Sequence, residues 1–258
     1  MNLDVERRAL VAALTRARPP PAKFDLKAYL GSPYPVLGLS VPQIQAIVSA
    51  FRKEHRDLAI GDLNRLADRL WPGETFEEKA LAISLLGGYR AILDDTTWSL
   101  VDRWVEGVSG WGLCDALGMG PIAAMVYDRP ARFRAVLGWT RSKKPWRRRV
   151  AAYALRDFVR AGELDKPLQL LERLLTDDEF WVQRAVGTWL RESWKKDRRR
   201  TEAFLRTHVR GLPAFVVTVA TERAPKSFRE ELRRKSGVNR AARRSRAGPR
   251  VRSRRRRA

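Results

Sequence analysis

The chain has 258 residues, 44% of them hydrophobic, which is long and apolar enough for one large domain or a repeat array. Its formal net charge of +23 points to a polyanionic partner, nucleic acid before an anionic membrane surface, and disfavours a protein-binding scaffold. Cys114 is the single cysteine, which excludes an internal disulfide or a cysteine metal cluster, and His55 and His208 have no partner at metal-ligand spacing. No metal and no cofactor is therefore expected.

The opening "MNLDVERRALVAALTRARPPP" places acids ahead of a short apolar stretch and has no cleavage-site pattern, so it does not read as a secretion signal. No apolar run reaches the length of a membrane-spanning helix. These features predict a cytoplasmic protein.

From residue 76 onward the chain repeats. Trp111, Trp146 and Trp181 are evenly spaced, and the same step backwards lands on Phe76. Four segments align: "FEEKALAISLL", "WGLCDALGMGP", "WRRRVAAYALR" and "WVQRAVGTWLR". Five residues after each aromatic stand Leu81, Ala116, Ala151 and Val186, and Leu85, Leu155 and Leu190 follow nine after theirs. Between the segments lie second helical patterns: "DDTTWSLVDRWVEGV", "DRPARFRAVLGWTRS" and "LDKPLQLLERLLTDD". Strand signals are scarce. The prediction is an all-α solenoid of antiparallel helix pairs over residues 1–232, with a concave binding face. Trp146 and Trp181 are expected in its core, and Cys114 as a small core residue.

Residues 233–258 carry thirteen Arg and Lys and no acid, so subtracting them from +23 leaves +10 on the body. Such a segment is too polar and self-repelling to pack, and it is expected to be a disordered Arg-rich arm.

The repeat register isolates one carboxylate. Four residues after each aromatic stand Ala80, Asp115, Val150 and Ala185, so Asp115 occupies a slot that is small and apolar elsewhere. A carboxylate there is costly if buried, which points to function. Three residues after each aromatic stand Lys79, Cys114, Arg149 and Arg184. This row of cations is either a solvated edge or a column that contacts phosphates.

These segments resemble the DNA alkylation repair enzymes of the AlkD-like group, monofunctional DNA glycosylases built from HEAT-like repeats. "YLGSPYPVLGLSVPQIQAIVSAF" is similar to the family's opening motif and "LWPGETFEEKALAISLLGGY" to its second repeat. "GWGLCDALG" matches its Trp-x3-Asp segment, "KPWRRRVAAYAL" its Trp-x2-Arg segment, and "DDEFWVQRAVGTWLRE" the repeat after that. Coverage runs from about Tyr29 to Lys226. The resemblance implies a HEAT-like fold with a basic concave face that binds double-stranded DNA as a monomer, associated with the nucleoid.

By the same resemblance, Trp111 is the first active-site tryptophan, Asp115 the essential aspartate and Arg149 the phosphate-contacting arginine. Lys79 and Arg184 extend the DNA contact along the column. The second active-site tryptophan should fall on Thr188, where the pattern breaks. An indole stands next door at Trp189, about a hundred degrees around the helix. Helical spacing groups Trp189 with Val186 and Leu190 as core.

The implied substrates are N3- and N7-alkylpurines, cationic bases that leave without a general acid. Their excision needs an anion beside the sugar, where positive charge develops, and Asp115 fits that role. Trp111 offers an electron-rich face to the cation. The resemblance also implies that the base need not enter a pocket, which suits a solenoid expected to have no deep cavity. The second hypothesis is a noncatalytic solenoid that binds damaged or branched DNA, and Thr188 favours it.

Overall fold

The computed structural model describes residues 1–127 and 129–236, and among them the chain is helical with no strand. The first five helices are α1 (Leu3–Arg16), α2 (Leu26–Leu30), α3 (Val41–Glu54), α4 (Ile60–Leu70) and α5 (Phe76–Gly88). Next come α6 (Asp95–Gly107), α7 (Trp111–Leu117), α8 (Ala123–Tyr127), α9 (Pro130–Trp139) and α10 (Pro145–Tyr153). The rest are α11 (Arg156–Ala161), α12 (Asp165–Glu172), α13 (Phe180–Lys196), α14 (Arg198–His208), α15 (Ala214–Ala220) and α16 (Lys226–Lys235). The expected boundary at residue 232 moves outward, because α16 continues through Lys235; the rest of the predicted tail, from 237, lies outside the described residues.

The helices stack as a solenoid in two layers. In one, α5, α7, α10, α13 and α15 each pack on the next. In the other, α4 packs on α5, α9 on α10, and α12 and α14 on α13. The repeat aromatics mark the beginnings of the first layer: Phe76 and Trp111 open α5 and α7, while Trp146 and Trp181 are second in α10 and α13. Phe215, second in α15, continues the series one repeat further than the sequence pattern indicated.

Local chemistry explains these starts. Thr75 Oγ1 accepts from the Glu78 amide at 3.2 Å while the Glu78 carboxylate accepts from the Thr75 amide at 3.0 Å, a reciprocal cap for α5. Pro145 opens α10, where its missing N–H costs nothing. Of the repeat positions five and nine residues after the aromatics, Leu81, Leu85, Ala151, Leu155, Val186 and Leu190 are buried, and Ala116 is half-buried. Trp146 is only half-buried against that core, and Trp181 is half-buried outside it, so neither is the core residue expected. Each sits in the first turn of its helix, at the edge of the layer rather than inside it.

α7 is short. After Leu117 the backbone widens into a π turn over Gly118–Ile122, which contains Pro121, and Gly120 leaves the helical range at φ −85°, ψ −109°. Gly118 lies directly on α10: a Cβ there would stand 2.6 Å from that of Tyr153. Its lack of a side chain lets α7 and α10 approach closely, which brings Asp115 beside Arg149.

Candidate active site

The slot identified by the repeat register is buried in every repeat. Ala80, Val150 and Ala185 fill it with small apolar side chains, and Asp115, 8% exposed, fills it with a carboxylate. Asp115 is tolerated because Arg149, one helix further on, closes a bidentate pair with it. Nε reaches Oδ1 at 2.7 Å and Nη2 reaches Oδ2 at 2.8 Å. Arg149 also donates to the Tyr153 hydroxyl at 3.1 Å and to the Trp181 carbonyl. Its guanidinium lies 4.8 Å from the Tyr153 ring centroid.

Burial pushes the Asp115 carboxyl above the usual aspartate range, and the Arg149 hydrogen bonds and charge oppose that shift. Burial and the Asp115 charge likewise push the Tyr153 phenol up. Arg184 is exposed, and its charge favours the ionised forms of Asp115 and Tyr153. Burial raises the Cys114 thiol well above its ordinary value, which makes it a packing residue rather than a nucleophile.

Trp111 stands one turn from Asp115, half-buried, at the first position of α7. Its Nε1 donates to the Tyr29 carbonyl at 2.5 Å, and the Tyr29 ring meets it edge to face with centroids 5.3 Å apart. The 25–40 segment that carries Tyr29 is anchored at two places. Gly31 and Gly110, both at positive φ, bring two backbones together; a Cβ on Gly110 would stand 2.7 Å from the Gly31 carbonyl oxygen. The fully buried Glu77 accepts from the amides of Leu37, Gly38 and Leu39 at 2.8, 2.7 and 3.2 Å.

Between this segment and α5 and α7 lies a cleft of about 710 Å³. Tyr29, Phe76, Ile44, Ile83, Trp111 and Asp115 are among its walls, so the two principal candidates share one apolar cavity. The solenoid therefore carries a cleft where no deep cavity was expected, half-open to solvent, with residues of the 25–40 segment forming its outer wall.

The cation column is corrected too. Lys79 is 5% exposed; its ammonium donates to the Trp71 carbonyl at 2.6 Å and lies 4.3 Å from the Tyr34 ring centroid. Arg149 is 2% exposed and turned inward. The column position is buried wherever neighbouring helices cover it, and of its three cations only Arg184 is exposed. Thr188 is half-buried one turn beyond Arg184, and no indole takes its place. Trp189 is 5% exposed, edge-on to Tyr153 at 5.6 Å, with its Nε1 unpaired. It backs the Arg149–Tyr153 pair without facing the cleft.

Sequence reasoning missed Tyr29, Tyr153 and Glu77. Tyr153 carried a usable signal, since it stands four residues after Arg149 on the same helical face. Tyr29 opened the motif quoted above without being singled out.

A helical solenoid that buries a carboxylate–guanidinium pair beside an aromatic-walled cleft defines a class of repeat protein with a chemical site built between its helices. The family model described as "DNA alkylation repair enzyme" matches residues 10–224, and the chain belongs to that family. The fold is similar to that of a predicted DNA alkylation repair enzyme from Enterococcus faecalis, at 18% identity and a TM-score of 0.68, covering 78% of this chain and 93% of that one. It is also similar to AlkD2 from Streptococcus mutans, at 11% identity and a TM-score of 0.56, covering 88% and 97%. No functionally curated protein matches. Among the described residues no helix is long and apolar enough to cross a membrane.

Proposed function

We propose that this protein is a DNA glycosylase, acting as a monomer on double-stranded DNA in the cytoplasm or nucleoid, that excises cationic N3- and N7-alkylpurines. The carrying observation is that Asp115 and Trp111 share one cleft wall, with the carboxylate aimed by Arg149. In the proposed reaction the bond between C1′ and the purine nitrogen breaks with its electron pair going to the base. The base leaves neutral, the sugar becomes positive, and water adds to C1′ with loss of a proton. Asp115 stabilises the positive sugar and orients that water, while Trp111 presents a π face to the same charge. Arg149 acts as a positioning residue: it fixes the carboxylate and favours its ionised form. Arg184 is the phosphate contact that remains at the column position.

The second reading, a noncatalytic binder of damaged or branched DNA, is favoured by one observation, the absence of an indole at Thr188. Release of 7-methylguanine from methylated duplex DNA separates the two. The wild type is expected to release it, and Asp115→Asn to do so at least a hundredfold more slowly, about 2.7 kcal/mol of transition-state stabilisation. No release by the wild type, with intact duplex binding, would establish the binder instead.

A further inference from the structure

We infer that Tyr153 is a positioning residue for the excision: without meeting DNA itself, its hydroxyl holds the Arg149 guanidinium square to the Asp115 carboxylate. The inference rests on the glycosylase reading. Seven residues after each repeat aromatic stand Ile83, Gly118, Tyr153 and Thr188. The two in the middle are complementary. A Cβ on Gly118 would stand 2.6 Å from that of Tyr153, so the glycine of one repeat makes room for the tyrosine of the next. Tyr153, the last residue of α10, is 7% exposed there and meets the buried Trp189 edge to face.

A count of donors shows what the hydroxyl does. A guanidinium carries five N–H groups and no acceptor, and a buried donor without a partner is costly. In Arg149 the Nε and Nη2 groups close the fork on Asp115, Nη1 donates to the Trp181 carbonyl, and Nη2 donates again to the Tyr153 hydroxyl. The planar group is thus fixed from three helices: Asp115 on α7, Tyr153 on α10 and Trp181 on α13. Of these, only the Tyr153 hydroxyl can be removed without disturbing a charge or the main chain. It also acts on the carboxylate, because hydrogen bonding with Tyr153 favours ionised Asp115. Burial and the Asp115 charge keep the phenol protonated for that role. The other charged or titratable groups around Asp115 are Cys114 on its own helix and Arg184 from α13. Glu77, Arg90 and Arg156 line the same cleft, but each is engaged elsewhere: Glu77 with the amides of residues 37–39, Arg90 with Asp157 at 2.8 Å and Arg156 with the Met119 carbonyl at 3.1 Å.

Tyr153→Phe isolates the hydroxyl, since the ring still fills the space at Gly118 and still faces Arg149 and Trp189. The variant should fold and bind undamaged duplex like the wild type. Its single-turnover excision of 7-methylguanine at saturating enzyme should fall about tenfold, and the acid limb of excision should move to higher pH. Titration of the Asp115 carboxyl, followed by carbon NMR in the free protein, should move the same way. Adding Tyr153→Phe to Asp115→Asn should slow residual excision no further, because the hydroxyl acts through that carboxylate. Wild-type excision with an unmoved Asp115 titration, or equal losses in both backgrounds, would overturn the inference alone. A moved titration beside a wild type that releases no base would overturn the glycosylase reading instead, and with it any part of Tyr153 in excision.

Discussion

Arg149 and Arg184 occupy the same repeat position, three residues after the aromatic, on successive helices. Their surroundings differ. Arg149 lies under α13 and has a carboxylate on α7 to pair with; Arg184 is exposed and forms no ion pair among the described residues. One position therefore serves as an internal clamp in one repeat and as a surface cation in the next. Repeat register identifies equivalent backbone positions, but the packing of neighbouring helices decides which of them meets solvent.

The largest expected effect follows from removing the clamp. Arg149→Ala leaves the Asp115 carboxylate buried without its partner, and breaking such a pair costs about 3–5 kcal/mol. Chemical denaturation should report a loss of that size. If Arg149 were instead a solvent-facing phosphate contact, stability would hold while affinity for all DNA fell. Trp189→Ala should cost a similar amount, because it empties a buried site behind Tyr153. A normal melt with lost excision would place that indole in the reacting site after all.

How much of this was visible beforehand depends on range. The solenoid was legible because its signal is local and repeated: each aromatic stands in the first turn of a helix, and the second helical patterns became α6, α9 and α12. Asp115 was legible because it violates the pattern of its own slot. The clamp was not, since Asp115 and Arg149 are 34 residues apart and the contact depends on how closely α7 approaches α10 at Gly118. The cleft was not either, because its outer wall is an irregular segment pinned by Gly31, Gly110 and Glu77, contacts without a periodic signature.

The shift at Asp115 gives a smaller effect with a definite sign. Its folded-state pKa is raised by burial, so protonation begins above the ordinary aspartate value of about 4. Excision should fall on acidification through that raised value, after correction for spontaneous base loss. Stability moves the opposite way. A raised folded-state pKa contributes stability that is fully present below the unfolded value and lost as pH rises through the folded one. The wild type should therefore gain on Asp115→Asn as the pH falls, in paired melts. An Asp115→Asn difference independent of pH would mean that the carboxylate keeps an ordinary pKa.

The smallest effect belongs to the exposed half of the comparison. Arg184→Ala removes a surface cation from α13 and leaves the Asp115–Arg149 pair intact. Stability should change by less than about 0.5 kcal/mol, as for surface substitutions in general. Binding to undamaged and alkylated duplex should weaken alike, and the dependence of log affinity on log salt should become shallower by about one unit. Arg184 also favours the ionised form of Asp115, so its removal should move the acid limb of excision to slightly higher pH. These readouts separate a phosphate contact from a residue that acts only through Asp115. A displaced acid limb with an unchanged salt slope would assign Arg184 to the carboxylate, and a changed slope with a fixed limb would assign it to the DNA backbone alone.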